Sequence, residues 1–577
     1  MVLLSKKECI DYTDMKNKPY LSYLVILVFV GIFPLFSLFV PGLPVTHDGQ
    51  DHVARIANFY QSISEGNVIP RWAGNLNWGF GHPILMFLYP LSSYMATLFH
   101  AAGFGYVDSV KLVFGVSFVA SITAMYLWLS RAFGKKAGFI GALLYGFAPY
   151  RFVDMYVRGA IGEHVAFIFP PLVCFFMYRL SQKSLMNSKN PIYQLLTANY
   201  LSFMGFSFSL AGLILAHNAI SLMFLPVFLL YGTYLFFTQK KRSLAFMSVL
   251  VLGTFVGFGL SAFFWAPAFL EGKYTLRDIV TADGVEGRFV PSSWFLYSPW
   301  NYGQGNEITK SLGFGSIIGV LAGIYIMFKG RLQRIDRVFV STSLFLLIGG
   351  VFLMTQPSKF IWDTISLLQK FQFPWRFLSL TTFLTAVIGA VGISQALIKE
   401  NTKNKILFFL FCFIIIIPTI QMWKPKGYLI KPESFYTGIY DSTTDTGESS
   451  PIWSVRFMEH RPNHPIEIIG GEGTIETGSR TSTKHTYIVT ATTPVRILEN
   501  TLYFPGWEIN GNGKSVPIQF QDPAYRGLLT FELPAGRHAI EIIFRDTKVR
   551  QISNIISIMS GFLLIAGFGG WYVWHKK

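Results

Sequence analysis

The sequence is short of charge. Only 14% of its 577 residues are Asp, Glu, Lys or Arg, where a soluble domain carries about 25%. So few charges cannot wet a surface unless much of it meets lipid. Acidic residues are the scarcer sign, 31 against 48 basic ones, for a formal net charge of +17. On a soluble chain that excess would suggest nucleic acid. Here 51% of residues are hydrophobic, 56 residues are Phe and the mean hydropathy is +0.42. The excess therefore reads as basic loops gathered on one side of a membrane, and no nucleic-acid partner is expected. Cysteine is almost missing. Cys9 precedes the first apolar run, and Cys174 and Cys412 lie inside apolar runs, so no disulfide framework is expected in the hydrophilic C-terminal stretch. There is no Walker A motif and no Gly-x-Ser-x-Gly nucleophile elbow, and Gly313-Phe-Gly315 begins an apolar run without the strand–helix context of a dinucleotide site. The apolar runs hold few of the ionisable residues that ion-coupled transporters place at mid-membrane. The first run, Leu21 to Val40, is too long for a signal-peptide core, and no small-residue cleavage site follows it.

What is present in quantity is hydrophobic run length. A helix needs about 20 apolar residues to cross a bilayer. Candidate spans are 20–40, 112–130, 137–150, 164–180, 196–216, 218–238, 244–266, 311–328, 338–354, 376–398, 406–422 and 552–574. The run 83–103 is also long enough, which puts the parity in question. Basic loops decide it. Suppose the N-terminus (Lys6, Lys7, Lys16, Lys18) is cytoplasmic and 83–103 lies in the outer interface. Then Arg131/Lys135/Lys136, Lys183/Lys189, Lys240/Lys241/Arg242, Lys329/Arg331/Arg334/Arg337, Lys399/Lys403/Lys405 and Lys576/Lys577 all fall inside.

The expected fold is thus an all-α membrane domain of about twelve transmembrane helices over 1–423, whose outer loop 41–111 carries a juxtamembrane helix 83–103. An extracytoplasmic all-β sandwich follows over 424–551, then a final transmembrane helix and cytoplasmic tail over 552–577. This describes a multi-pass protein of the inner or plasma membrane with both termini cytoplasmic. The β expectation rests on the Thr/Val-rich runs Thr486–Thr492 and Val495–Tyr503. It also rests on a hairpin at Asn510-Gly511-Asn512-Gly513 and a second hairpin in which Leu528–Leu533 and Ala539–Phe544 flank Pro534-Ala535-Gly536.

The densest polar cluster follows the first span: His47, Asp48, Asp51, His52 and Arg55. Asp48, Asp51, His52 and Arg55 have helical spacing, so one helix face can present all four. A carboxylate held near apolar surface becomes a usable general base. Two other readings stand beside this one: a solvated helix cap with Arg55 paired to the acid, and a divalent metal held by His and Asp. A second cluster is Arg151, Asp154, Arg158, Glu163 and His164; Glu163 and His164 begin a span, where an unpaired charge is costly. His217 stands between two spans, where a helix-end role is the plain alternative. Arg376 follows Gln372-Phe373-Pro374-Trp375 at a helix start, a poor place for a cation unless it meets an anion such as a lipid phosphate. Polar residues concentrate at outer helix ends, which points to chemistry at the outer interface.

The chain resembles the GT-C superfamily of membrane glycosyltransferases, and within it the membrane proteins carrying the domain called 6-pyruvoyl-tetrahydropterin synthase-related. The carriers are Thr46-His-Asp-Gly-Gln-Asp-His-Val-Ala-Arg55, Gly66-Asn-Val-Ile-Pro-Arg-Trp72, Gly79-Phe-Gly-His-Pro83 with Tyr89-Pro90, Ala148-Pro-Tyr-Arg151, Phe373-Pro-Trp-Arg376, Tyr503-Phe-Pro-Gly-Trp507 and Pro534-Ala-Gly-Arg-His538. The resemblance implies a catalytic acid just after the first helix, matched by Asp48 with Asp51 beside it. It also implies a polyprenyl-phosphate-linked sugar donor and an envelope glycan, lipid or protein acceptor. His47, His52, Arg55, Arg158, Glu163, His164, His217 and Arg376 are then candidates for substrate binding. The two acids are split by Gly49-Gln50 rather than adjacent, which leaves open which one acts and whether a metal is needed. Two competing expectations are a membrane scaffold or glycan/lipid transporter whose β domain binds carbohydrate or a partner, and an acyl or phosphoryl transferase using His47 or His52.

Overall fold

The computed structural model describes residues 18–182, 191–239, 242–280, 285–303, 307–330 and 332–576. Cys9 and the basic residues Lys6, Lys7, Lys16, Lys183, Lys189, Lys240, Lys241, Arg331 and Lys577 lie outside the described residues.

Each of the twelve apolar runs forms helix. Among the described residues, nine helices are long and apolar enough to cross a membrane, from Tyr20–Phe39 to Lys548–Val573. The pair Leu244–Leu260 and Ala262–Leu270 is long and apolar enough only when taken together, and it is bent by 71°. The other two runs are short: Lys135–Gly146 has 12 residues and Phe314–Phe328 has 15. Both are cut by local chemistry. Ala148 is extended, as a residue before proline prefers, and Pro149 opens a new helix. Gly313, with φ +91°, precedes Phe314. The chain is a multi-pass membrane protein. The stretch 83–103 folds as two helices, Ile84–Phe87 and Leu91–Ala101. Pro90 breaks them apart, and at 1.5 Å per residue neither is long enough to cross.

The C-terminal part is an all-β sandwich of two antiparallel sheets. One has the order Gly473–Arg480, Lys484–Ala491, Gly536–Phe544, Trp507–Gly511, Lys514–Val516; the other has the order Ile466–Gly470, Val495–Leu502, Leu528–Leu533. Val489, Ile497, Leu502, Phe531 and Ile542 are fully buried between them. The first expected hairpin turns at Asn512 and Gly513, whose φ values of +51° and +78° are those of a primed turn. The second expected hairpin does not form. Leu528–Leu533 pairs with Val495–Leu502, whereas Gly536–Phe544 pairs with Lys484–Ala491 and Trp507–Gly511 in the other sheet. Pro534 has no N–H to continue the ladder, and the chain crosses there from sheet to sheet. Gly473–Arg480 escaped the sequence reading because its GTIETGSR run is mostly exposed and lacks apolar alternation.

The sandwich core runs on into the loop that follows the first apolar helix. Trp72 meets the rings of Trp507 at 5.4 Å and Phe544 at 5.3 Å, and Phe87 meets Phe504 at 5.9 Å. Arg71 pairs with Asp546 at 3.0 Å, and Glu65 accepts from the Ser482 N–H at 2.8 Å. Arg550, at the head of the last helix, pairs with Glu271 at 2.8 Å. The segment between Met422 and the first sandwich strand lies on that same loop. Tyr428–Leu429 pairs with Leu43–Pro44, and the short helix Ser434–Thr437 packs on the helix Gly49–Ser64. That arrangement brings residues 440–450 to the polar cluster.

Candidate active site

The helix Gly49–Ser64 starts at Asp48 and stops at Glu65, before Gly66 with φ +97°. Asp51 in its first turn suits the positive helix end. Asp48 occupies the N-cap position, yet its carboxylate makes no capping bond and is exposed. Its backbone is fixed instead: the Asp48 N–H donates to the Arg158 carbonyl at 2.9 Å and the His47 N–H to the Val157 carbonyl at 3.0 Å. The accepting segment is a five-residue π turn, Asp154–Arg158, ended by Gly159 in the left-handed region. A Cβ at Gly159 would lie 2.4 Å from Thr46 Oγ1, so glycine is required there twice over, by conformation and by space.

The remaining residues of the first cluster part company. His47 is exposed beside Gly303, where a Cβ would fall 2.0 Å from its Nε2. Asp51 accepts from the Tyr440 hydroxyl at 3.1 Å. Burial raises its pKa above the ordinary carboxylate value, although Arg55 and Tyr440 work against the rise. His52 is buried, with Nδ1 3.0 Å from the Arg55 guanidinium; burial first and Arg55 second push its pKa well down, so it stays neutral. Arg55 pairs with neither acid. Its Nε donates to Thr444 Oγ1 at 3.2 Å and its Nη2 to the Thr444 carbonyl. The solvated-cap reading, with Arg55 on the acid, is therefore not the arrangement found.

The second cluster sits directly behind the Asp48 loop. Arg158 Nη1 bonds Asp154 at 2.6 Å, Glu163 at 2.7 Å and the Tyr150 oxygen at 3.0 Å, and the guanidinium lies 4.5 Å from the centre of the Trp375 ring. Glu163 also accepts from Tyr150 and Ser379, each at 2.6 Å. Asp154 and Glu163 are 0% and 1% exposed. These two acids and one cation are thus held away from water against one another, with Asp154 Oδ2 left buried without a hydrogen-bond partner. Arg151 is fully buried, bonded to Ser121 at 2.8 Å and 3.9 Å from the centre of the Phe167 ring. His164 is buried against Phe114 and Phe118, apart from the exposed acid. His217 caps the helix Asn218–Thr238 through Nδ1, which accepts from the Ile220 N–H at 3.3 Å, and stacks on Tyr89 at 4.7 Å. Arg376 bonds the Phe371 carbonyl at 3.0 Å and has no carboxylate partner among the described residues; its Nε is buried and unbonded.

Tyr89 joins the halves. Its phenol feels Arg55, Arg376, Asp48 and Glu163 electrostatically, and Gly162 leaves the room its ring occupies. The sequence flagged Tyr89 only as part of a motif. Tyr150 and Trp375 were likewise flagged only as parts of motifs, whereas Ser379, Tyr440 and Thr444 were missed: uncharged side chains inside apolar or remote stretches carry no local signal.

The donor set does not suit a resident divalent metal. Among the described residues no three His, Cys, Asp or Glu side chains are grouped as a metal site, and His52 Nδ1 faces a guanidinium.

No family model matches the chain. An uncharacterized protein of Lactococcus lactis subsp. cremoris (strain MG1363) is 22% identical over 270 residues, which is 45% of this chain and 42% of the relative, so the match spans less than half of either protein. Several solved structures are similar. The Archaeoglobus fulgidus oligosaccharyltransferase, tethered with an acceptor peptide containing the NVT sequon, gives a TM-score of 0.44 at 13% identity, covering 79% of this chain and 62% of that one. The mycobacterial arabinofuranosyltransferase AftD gives 0.43 at 13% identity, covering 71% and 28%. ArnT from Cupriavidus metallidurans bound to undecaprenyl phosphate gives 0.38 at 13% identity, covering 74% and 68%.

Proposed function

We propose that the chain is a GT-C-type membrane glycosyltransferase of the 6-pyruvoyl-tetrahydropterin synthase-related kind, working at the extracytoplasmic face on a polyprenyl-phosphate-linked sugar and an envelope glycan, lipid or protein acceptor. One observation carries this reading. Of the two acids after the first helix, Asp51 is tied to Tyr440, whereas Asp48 is exposed on a backbone anchored from a second element. A scaffold or transporter has no use for an acid so placed; a transferase needs a base there.

In this proposal the Asp48 carboxylate takes the acceptor hydroxyl proton as that oxygen bonds the anomeric carbon. The bond from that carbon to the phosphate oxygen breaks, and the phosphate departs with the electron pair. Arg376, with no carboxylate of its own among the described residues, faces the departing charge. Arg158 is spoken for by Asp154 and Glu163, so its part is to hold the Asp48 loop through its carbonyl. Asp51 and Arg55 hold residues 440–444 over the site.

The test is a cell-envelope glycan and lipid profile of a deletion strain complemented with wild type or Asp48→Asn. The same sugar missing from the deletion and the Asp48→Asn strain supports the reading. A wild-type profile with Asp48→Asn, at equal protein level, removes Asp48 as the base.

A further inference from the structure

We infer that Gln372 is a positioning residue of the proposed transferase: a strained turn centred on it aims the Phe371 carbonyl that fixes the Arg376 guanidinium, and Glu448 holds that turn in place. The inference rests on the proposed reading of Arg376 as the cation facing the departing phosphate.

Gln372 has φ +63°, a backbone region that few residues other than glycine adopt. The Phe373 N–H returns to the Phe371 carbonyl at 2.7 Å. Gln372 is therefore the centre of a γ-turn with positive φ, the rare and strained form. Glycine would take this conformation without strain, yet the sequence has glutamine. The turn presents two successive carbonyls to two cations. Arg376 Nη1 donates to the Phe371 carbonyl at 3.0 Å, and Arg288 Nη1 donates to the Gln372 carbonyl at 3.1 Å. The two guanidiniums lie 5.3 and 5.0 Å from the centre of the Phe373 ring, so the same turn fixes both against one aromatic side chain.

Backbone strain persists only where the surroundings over-determine it. Besides the two guanidiniums, the Gln372 side chain does so: its Nε2 donates to Glu448 Oε2 at 2.7 Å. Glu448 belongs to residues 440–450, which also place Tyr440 on Asp51 and Thr444 on Arg55. Among the described residues five non-glycines have positive φ: Asn77, Trp78, Gln372, Thr444 and Asn512. Asn512 serves the sandwich hairpin. Thr444 lies within 440–450, and Asn77 and Trp78 donate their N–H groups to the Ser442 and Tyr440 carbonyls at 2.9 Å each. Four of the five thus lie in this segment or are hydrogen-bonded to it. It forms one fixed wall from the acids to the Arg376 loop. Strain gathered along a wall of this kind is the mark of a binding site held in advance of its ligand.

The test is thermal shift of the full chain in detergent, titrated with farnesyl phosphate and, as a control without phosphate, farnesol. Farnesyl phosphate alone should stabilise wild type, and Arg376→Met should lose that stabilisation. Gln372→Ala and Glu448→Ala should raise the half-saturating concentration about tenfold, the worth of one hydrogen bond to a charged group. Glu448→Gln still presents an oxygen to the Gln372 amide and should keep the wild-type midpoint, a rescue that a loosened fold would not give. Gln372→Gly takes the left-handed backbone without strain, which guards against misfolding, and should lose affinity as Gln372→Ala does. With wild type binding, unchanged midpoints in Gln372→Ala and Gln372→Gly would overturn the positioning role alone. So would a Glu448→Gln midpoint shifted as far as that of Glu448→Ala. A wild type that farnesyl phosphate stabilises no more than farnesol would overturn the lipid-phosphate donor, and this role of Gln372 with it.

Discussion

Arg158→Met should be the most damaging single change in the bundle that touches no exposed surface. Arg158 is 7% exposed and pairs with two carboxyl groups, Asp154 at 2.6 Å and Glu163 at 2.7 Å, that are themselves 0% and 1% exposed; burial and the nearby Glu163 push the Asp154 carboxyl well above the ordinary carboxylate range. Removing it leaves the Glu163 carboxylate buried beside Asp154 with no cation in contact. Breaking a buried pair from one side costs about 3–5 kcal/mol. With ~2.1 cal/mol/K of unfolding entropy per residue, 577 residues give ~1.2 kcal/mol/K, so the melting temperature should fall by ~3–4 °C. The triple variant Arg158→Met/Asp154→Asn/Glu163→Gln removes all three ionisable groups and should regain most of that loss, because neutral groups of similar size are tolerated where a lone buried charge is not. The assay is thermal aggregation of detergent-solubilised protein followed by size-exclusion chromatography. An Arg158→Met variant melting within ~1 °C of wild type, or a triple variant as unstable as the single one, would refute the view that this trio is an ion-paired unit holding the Asp48 loop.

Further outcomes follow from single contacts. Gly159→Ala forces a left-handed alanine against Thr46 and should cost about 1–2 kcal/mol or more; it should also lower product formation without changing acceptor binding, read as kcat against KM. Trp72→Ala empties the joint between the first loop and the sandwich at about 3–5 kcal/mol, and limited proteolysis should then cut faster at 458–465. Glu499 is buried in the sandwich beside His485 at 2.8 Å and Arg480 at 2.6 Å. Burial alone would raise its pKa, but these partners together bring it below the ordinary value. A carboxyl depressed in the folded state stabilises above its unfolded pKa, about 4.3, and loses that contribution as pH falls through the folded value. The melting-temperature gap between wild type and Glu499→Gln should therefore be full at pH 7 and close progressively below pH ~4.

How much of this was legible in the sequence depends on the range of the signal. Apolar run length is local, so all twelve runs became helix, and only those cut by Pro149 and Gly313 fell short. The Asn512-Gly513 turn is local too and formed as expected, whereas sheet membership after Pro534 is set by packing across the core and was misread. The acid-rich first loop was legible because charges near a membrane are rare. The sorting of its acids was not: Asp51 is held by Tyr440 and Arg55 by Thr444, both 389 positions away. The same holds for Glu163, whose partner Ser379 lies 216 positions on in an apolar run.

The central claim is that Asp48, not Asp51, is the base. The most direct measurement compares Asp48→Asn and Asp51→Asn in the deletion strain at matched protein levels, reading the envelope sugar lost on deletion. Asp48→Asn should reproduce the deletion, while Asp51→Asn, which trades a hydrogen-bonded carboxylate for an amide of the same shape, should keep a measurable part of the product. Restoration of the sugar by Asp48→Asn alongside its complete loss in Asp51→Asn would contradict the assignment.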